Sequence, residues 1–146
     1  MTLFVKDGHL NCTKVKSALQ GGGSSNLLPD RRICRRVWDH TPGKSGHDAF
    51  GKFTVAIAPT SHPITQGMKP FETQDELYYR QQGNQPIAVL AMARSKVTGQ
   101  DEPMAFVYDY GKGRVFQTVL GHDATAIRND GTAELIRRGT VWTAKR

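Results

Sequence analysis

Residues 103–120 read PMAFVYDYGKGRVFQTVL, which is two strand-like arms joined by a glycine-containing turn. Aromatic and β-branched side chains dominate both arms, as is typical of β-strands. Gly111 and Gly113 lie in the connection, where a tight hairpin needs residues that tolerate positive φ. We therefore predict a strand at 103–108, a turn at 110–113 and a returning antiparallel strand at 114–120.

Two further strands are predicted upstream of this hairpin. Residues 52–58 alternate so that Phe53, Val55 and Ile57 share one face, the pattern of a half-buried strand. Residues 86–93 are nearly all apolar, which fits a strand buried on both faces in the core of a layered α/β protein. The stretch 75–79, DELYY, fits either a strand or a short helix, and both alternatives stay open.

The C-terminus has the pattern of a helix that begins near Asp130 or Thr132, either of which can cap it. Its apolar and small residues fall into two stripes. One contains Ala133, Ile136, Thr140 and Ala144, and the other contains Leu135, Gly139 and Trp142. Since both stripes cannot face water, the helix is expected to pack on the sheet.

The N-terminal part differs in character from the rest of the chain. Residues 8–35 show no sustained period of a helix or strand and include the flexible tract GGGSSN at 21–26. We therefore divide the chain into a poorly ordered segment, 1–35, and a folded domain, 36–146. Cys12 and Cys34 have no metal-ligand or disulfide-framework spacing, so a reducing compartment is expected.

Composition excludes several classes of function. The 146 residues carry a net charge of +7, and the densest basic run is RRICRR at 31–36. No aromatic platform or recognition helix accompanies this run, so no nucleic-acid partner is predicted. No apolar run approaches the ~20 residues that span a bilayer. The N-terminus also lacks a signal-peptide pattern, so a cytoplasmic protein without membrane contact is expected.

The tripeptide Gly-His-Asp occurs twice, at 46–48 and at 121–123, each time at the edge of a predicted strand. Each copy places an imidazole beside a carboxylate, and histidine can serve as an acid, a base or a metal ligand near neutral pH. The alternative is that His-Asp is merely a turn and cap dipeptide, because Asp closes turns and caps helices. The sequence leaves both interpretations open.

Several motifs in this order resemble the ThuA-like (trehalose utilisation) family. They are RVWD at 36–39, GHD at 46–48, FTV at 53–55, HPITQG at 62–67, DELY at 75–78, YGKGRVF at 110–116, LGHD at 120–123 and RRGTVW at 137–142. The resemblance covers about residues 36–146. Residues 4–8 resemble the family's approach to a glycine-rich turn, whereas residues 9–35 do not match.

The resemblance implies an α/β sandwich of the flavodoxin-like, class I glutamine amidotransferase-like kind, with a mixed sheet, a C-terminal helix and the N-terminal half missing. It implies a role in the catabolism of trehalose or keto-sugars and association with a sugar oxidoreductase. A homodimer is also expected, because half a sheet exposes an edge strand. Cys12 and Cys34 match no nucleophile elbow, so glutaminase activity is excluded.

The predicted catalytic residues are His122, as acid or base, with Asp123 orienting it, and the pair His47 and Asp48. Asp75, Glu76 and Tyr78 are predicted to bind a small-molecule sugar, since carboxylates and aromatic rings suit such a ligand. No metal and no cofactor are predicted. Whether the chain is an enzyme stays open, because a non-catalytic carbohydrate-binding or interaction module and an inactive fragment of a frameshifted gene are the alternatives.

Overall fold

The computed structural model describes residues 2–6, 9–12, 45–81, 83, 86–110 and 113–144. Its elements in chain order are β1 (Thr2–Lys6), β2 (His9–Cys12), β3 (Gly46–His47), β4 (Gly51–Ile57), β5 (Phe71–Asp75), β6 (Tyr78–Tyr79), β7 (Ala88–Arg94), β8 (Asp101–Tyr110), β9 (Gly113–Thr118), α1 (Ala124–Arg128) and α2 (Asp130–Ala144). The described residues form a mixed α/β structure, and the helices among them lie at the C-terminal end, where one was predicted.

A curled antiparallel sheet is the main layer. Its strand order is β2-β1-β9-β8-β7-β4-β5, and β3 and β6 form a separate two-stranded ladder. Every strand pair within the described ranges is antiparallel, so the predicted mixture of parallel and antiparallel pairs is not found there. Parallel neighbours need a long crossover. Instead, β7 and β8 are joined by a turn at residues 95–100, in which the Ser95 N–H donates to the Gln100 carbonyl at 2.9 Å.

The β8–β9 hairpin confirms the prediction made from residues 103–120. Tyr110 pairs with Gly113 and Asp109 pairs with Arg114, so two residues connect the strands. Those two, 111 and 112, lie outside the described residues. The strand register is the one that a tight glycine turn produces.

The core lies on both faces of β8. Ala105, Val107 and Phe116 belong to the larger apolar cluster, whereas Phe106 and Val115 belong to a second one. Burial on both faces was predicted for 86–93, but it is more complete in β8, where residues 104–108 are all buried. In β7, Leu90 and Ala91 are both buried although they are adjacent, and the strand has irregular register at this point.

The helix α2 packs on the sheet through the second predicted stripe. Leu135 and Gly139 are buried and Trp142 is partly buried against the core, whereas Ala133 and Ala144 are exposed. The predicted caps, Asp130 and Thr132, are wrong. The side-chain oxygen of Asn129 instead accepts hydrogen bonds from the N–H groups of residues 131 and 132, at 3.1 and 3.3 Å.

Two N-terminal strands lie in the region predicted to be poorly ordered. β1 pairs with β9, and β2, at residues 9–12, pairs with β1. Residues 13–35, and with them Cys34 and the glycine tract, lie outside the described residues. Within the described part of the chain, no helix combines the length and apolar character required to cross a bilayer.

Candidate functional site

Two histidines from the repeated tripeptide converge on one carboxylate. The Nδ1 atom of His122 lies 3.0 Å from Oε2 of Glu76, and Nδ1 of His47 lies 3.8 Å from Oε1 of the same group. The side chains of both histidines are 46% exposed, whereas that of Glu76 is 16% exposed. The structure therefore brings His47, Glu76 and His122 together as a partly solvent-accessible cluster, called here the two-histidine site.

Tyr78 completes the contacts of Glu76. Its hydroxyl donates a hydrogen bond to Oε2 of Glu76 at 2.8 Å, and its ring centroid lies 5.5 Å from that of His47. Burial, and then the hydrogen bond and the nearby carboxylates, raise the pKa of Tyr78 to about 12. The phenol consequently keeps its proton throughout the physiological range and remains a donor to Glu76.

The tautomer of each imidazole follows from its neighbours. Nδ1 of His122 faces a carboxylate oxygen, and Nδ1 of His47 lies 2.9 Å from the backbone carbonyl of Asp48. Both neighbours accept hydrogen bonds, so we expect Nδ1 to carry the proton in each neutral ring. This arrangement places the basic lone pair of each ring on Nε2, the nitrogen that these contacts leave unused.

Asp75 holds the turn that presents His122. Its carboxylate accepts from the N–H of Gly121 at 2.6 Å, from the N–H of His122 at 3.1 Å and from the N–H of Glu76 at 2.8 Å. Asp75 is completely buried. The prediction that it contacts a sugar is corrected, because its oxygens are occupied by backbone donors and water does not reach it.

The turn itself requires a glycine. Gly121 has φ +103°, in the region that L side chains rarely adopt, and a Cβ there would lie 2.8 Å from Cγ1 of Ile127. The positive φ and the close approach of Ile127 therefore explain why the second tripeptide begins with glycine. The first tripeptide is constrained differently, since a Cβ on Gly46 would lie 2.6 Å from the hydroxyl of Tyr79.

Asp48 braces the loop that carries His47. Its two carboxylate oxygens accept from the hydroxyl of Ser95 and from the N–H of Lys96, each at 2.7 Å, and Asp48 is only 7% exposed. Its own N–H donates to the carbonyl of Leu77 at 2.9 Å. Asp48 thus ties His47 to the β7–β8 turn, and its carboxylate is not bonded to the imidazole.

Asp123 caps α1 and does not orient His122. Its Oδ1 accepts from the N–H of Ala126 at 2.8 Å, and its backbone is extended, as an N-cap residue requires. Glu76 supplies the contact that was predicted for Asp123. The carboxylates of both tripeptides therefore fill the turn and cap role, whereas the histidines form the cluster.

Sequence reasoning placed Glu76 among the sugar-binding residues and missed its position between the histidines. The available signal was an acidic residue directly after a strand, two positions before a tyrosine that can reach it. Within the described residues, no group of three or more His, Cys, Asp or Glu side chains is arranged to hold a metal ion.

His62, which precedes Pro63, has a structural role. Its carbonyl accepts from the N–H groups of Thr65 and Gln66, and its ring lies 5.0 Å from that of Trp142. Burial, and then the nearby Arg114 guanidinium, lower the pKa of His62 from its ordinary value of 6.5. Trp142 is packed against the core, as predicted, whereas Trp38 lies outside the described residues.

Comparison with known proteins identifies the family. A family profile described as ThuA, trehalose utilisation, matches residues 13–143. The chain belongs to the ThuA family. The match confirms the resemblance noted in the sequence and begins before residue 36, where the quoted motifs start. Searching the curated proteins returned no match.

A solved structure supports the assignment. A ThuA-like protein from Parabacteroides merdae is 30% identical in sequence and superimposes with a TM-score of 0.63. The similarity covers 69% of this ThuA family chain and 41% of the other chain. The chain thus spans less than half the length of the ThuA-like protein that it matches.

Proposed function

We propose that this ThuA family chain contributes an acid–base site for the catabolism of trehalose or of keto-sugars derived from it. The observation that supports this most strongly is the contact of 3.0 Å between Nδ1 of His122 and Glu76. A carboxylate bonded to Nδ1 fixes the ring and stabilises the imidazolium that forms when Nε2 takes a proton. His122 is the general base in this proposal, and Glu76 is its positioning residue.

A keto-sugar offers a proton that such a base can remove. The C–H bond next to a carbonyl is acidic because its electron pair can move to the carbonyl oxygen and form an enediolate. Nε2 of His122 takes the proton, exchanges it with solvent and returns a deuteron to the same carbon, which restores the carbonyl. Positioned bases of this kind accelerate proton transfer by roughly 10²–10⁴-fold.

The experiment is hydrogen–deuterium exchange of a 3-keto-glucoside in D2O, followed by proton NMR. His122→Asn is the informative variant, because its amide can still donate to Glu76 but has no basic nitrogen. We expect exchange to fall by about 100-fold in this variant. Val141→Ala, at an exposed position on α2, is the control and should exchange as the wild type does. Equal exchange by His122→Asn and the wild type would contradict the proposal.

A non-catalytic carbohydrate-binding module is the second candidate. Exposure of nearly half of each histidine side chain favours it, since catalytic proton transfer generally benefits from exclusion of water. Saturable sugar binding with no exchange, unchanged in His122→Asn, would support this alternative. Absence of any sugar binding would agree with the inactive fragment that the sequence also allows.

The same proposal extends to the fold and partners of the complete domain. The family resemblance supports a flavodoxin-like, class I glutamine amidotransferase-like sandwich, of which this chain contains a part. It also supports association with a sugar oxidoreductase, which would generate the keto-sugar. A cytoplasmic location, and self-association as a homodimer through an exposed edge strand, are further parts of the proposal. Sedimentation of the purified chain with and without such an oxidoreductase tests both associations.

A further inference from the structure

Phe50 is a large apolar side chain left exposed beside the two-histidine site. It is 46% exposed, and its ring centroid lies 6.2 Å from that of His122 with an interplanar angle of 59°. The exposed large apolar side chains among the described residues are Phe50, Val97, Ile127 and Val141. Phe50 is the aromatic member of this group, and it is the one whose ring adjoins an imidazole of the site.

The backbone on both sides of Phe50 is fixed. Gly51, which follows it, pairs with Asp75, and the carboxylate of Asp75 accepts from the N–H of His122 at 3.1 Å. Asp48, two residues before Phe50, is bonded to Ser95 and Lys96. Phe50 and His122 are therefore held relative to one another before any ligand binds, which reduces the conformational entropy lost on binding.

A second exposed apolar side chain adjoins the turn that carries His122. Ile127 is 38% exposed and lies over Gly121, because a Cβ on that glycine would be 2.8 Å from its Cγ1 atom. A single exposed apolar residue needs no explanation. Phe50 beside the His122 ring and Ile127 beside Gly121 give the surroundings of this half-exposed imidazole apolar as well as polar groups, a mixture that small-molecule sites share.

We propose that Phe50 is a stacking platform for the pyranose ring of a sugar. The face of a pyranose presents C–H groups, which the electron-rich face of an aromatic ring attracts, while its hydroxyl groups project from the edge. Stacking on Phe50 places that edge beside the imidazole of His122, whose ring centroid is 6.2 Å from that of Phe50. This inference rests on the proposed function and adds to it the side chain that binds the face of the sugar ring.

The test compares trehalose with sorbitol, an open-chain polyol, by NMR titration of the 15N-labelled chain. The variants are Phe50→Ala, which removes the ring, Phe50→Trp, which enlarges it, and Val141→Ala, which shortens an exposed apolar side chain on α2. We expect Phe50→Ala to bind trehalose about tenfold more weakly. Phe50→Trp should bind at least as tightly as the wild type, and Val141→Ala equally. The preference for trehalose over sorbitol should disappear in Phe50→Ala.

The outcomes separate the platform from the function on which it rests. Equal affinity of the wild type and a folded Phe50→Ala variant for trehalose would overturn the platform and leave the acid–base site standing. The same holds if Phe50→Ala and Val141→Ala weaken binding equally. If the wild type shows no saturable binding of trehalose, the platform fails, whereas the acid–base site is judged separately by the deuterium exchange of the 3-keto-glucoside. The dispersion of the amide spectrum reports whether each variant is folded.

Discussion

Glu76 uses two carboxylate oxygens to contact three side chains. Oε2 receives the hydroxyl of Tyr78 and faces Nδ1 of His122, and Oε1 faces Nδ1 of His47. A carboxylate engaged in this way has little capacity left for a sugar hydroxyl. At the scale of the residue, the proposed function therefore has Glu76 act through the histidines, and it assigns the contact with the ligand to their Nε2 nitrogens.

His62 makes stability depend on pH in a defined direction. Because burial and Arg114 lower the pKa of His62 in the folded state, the unfolded chain takes up a proton first as the pH falls below 6.5. The stabilisation that the neutral His62 side chain provides is fully present above pH 6.5. The free energy of unfolding should accordingly decrease as the pH falls through 6.5 toward the lowered pKa. Urea unfolding at several pH values measures it.

His62→Asn is the variant that isolates this contribution. Asn preserves an acceptor for the N–H of Ile64, which donates to Nδ1 of His62 at 3.3 Å. We expect the variant to lose less stability than the wild type between pH 7 and pH 5. Identical pH dependence in the two proteins would show that His62 titrates alike in the folded and unfolded states.

At the scale of elements, two hydrogen-bonded turns position the site. Asp75, at the end of β5, holds the turn between β9 and α1, and Asp48 ties the segment before β4 to the β7–β8 turn. Each histidine is thus positioned by a buried carboxylate. For His122 it is Asp75, which belongs to another part of the chain, and for His47 it is Asp48, the next residue in the sequence. Strand pairing alone would not fix either ring.

The packing of α2 on β9 depends on the absence of a side chain at Gly139. A Cβ at this position would lie 2.3 Å from Cδ1 of Phe116, whose side chain is completely buried. Alanine favours a helix over glycine by about 1 kcal/mol. Overpacking costs about 1–3 kcal/mol, so we expect Gly139→Ala to lower the free energy of unfolding.

The control for this substitution is the double variant with Phe116→Leu. Removal of the ring should make Gly139→Ala less destabilising than it is in the wild type, because the two residues are in contact and their effects are coupled. Thermal unfolding of the four proteins measures the difference. A higher melting temperature for Gly139→Ala alone would mean that helix propensity outweighs the close approach.

At the scale of the whole molecule, local signals predicted the elements better than their arrangement. The glycine turn after β8 determined both the strand boundaries and their antiparallel pairing, because two-residue connections allow no other pairing. Residues 86–93 showed that a strand exists, but an apolar run does not specify the direction of its neighbours. The antiparallel pairing of β7 with β8 instead follows from the turn at 95–100.

The sequence indicated the histidines of the site but not the carboxylate that contacts them. The repeated tripeptides indicated His47 and His122, but adjacency in sequence suggested Asp48 and Asp123 as their partners. An extended chain directs successive side chains to opposite sides, so a neighbouring carboxylate is poorly placed to bond the imidazole. The partner that the structure provides, Glu76, lies far from both histidines in sequence and is brought to them by folding.

The measurement that tests the central claim most directly is the tautomeric state of His122, read from long-range 15N–1H NMR correlations at pH 8. If Glu76 orients His122 as a base, the protonated nitrogen is Nδ1 in the wild type and Nε2 carries the lone pair. Glu76→Ala should remove this preference, while Val141→Ala should retain it. A proton on Nε2 of His122 in the wild type would contradict the account.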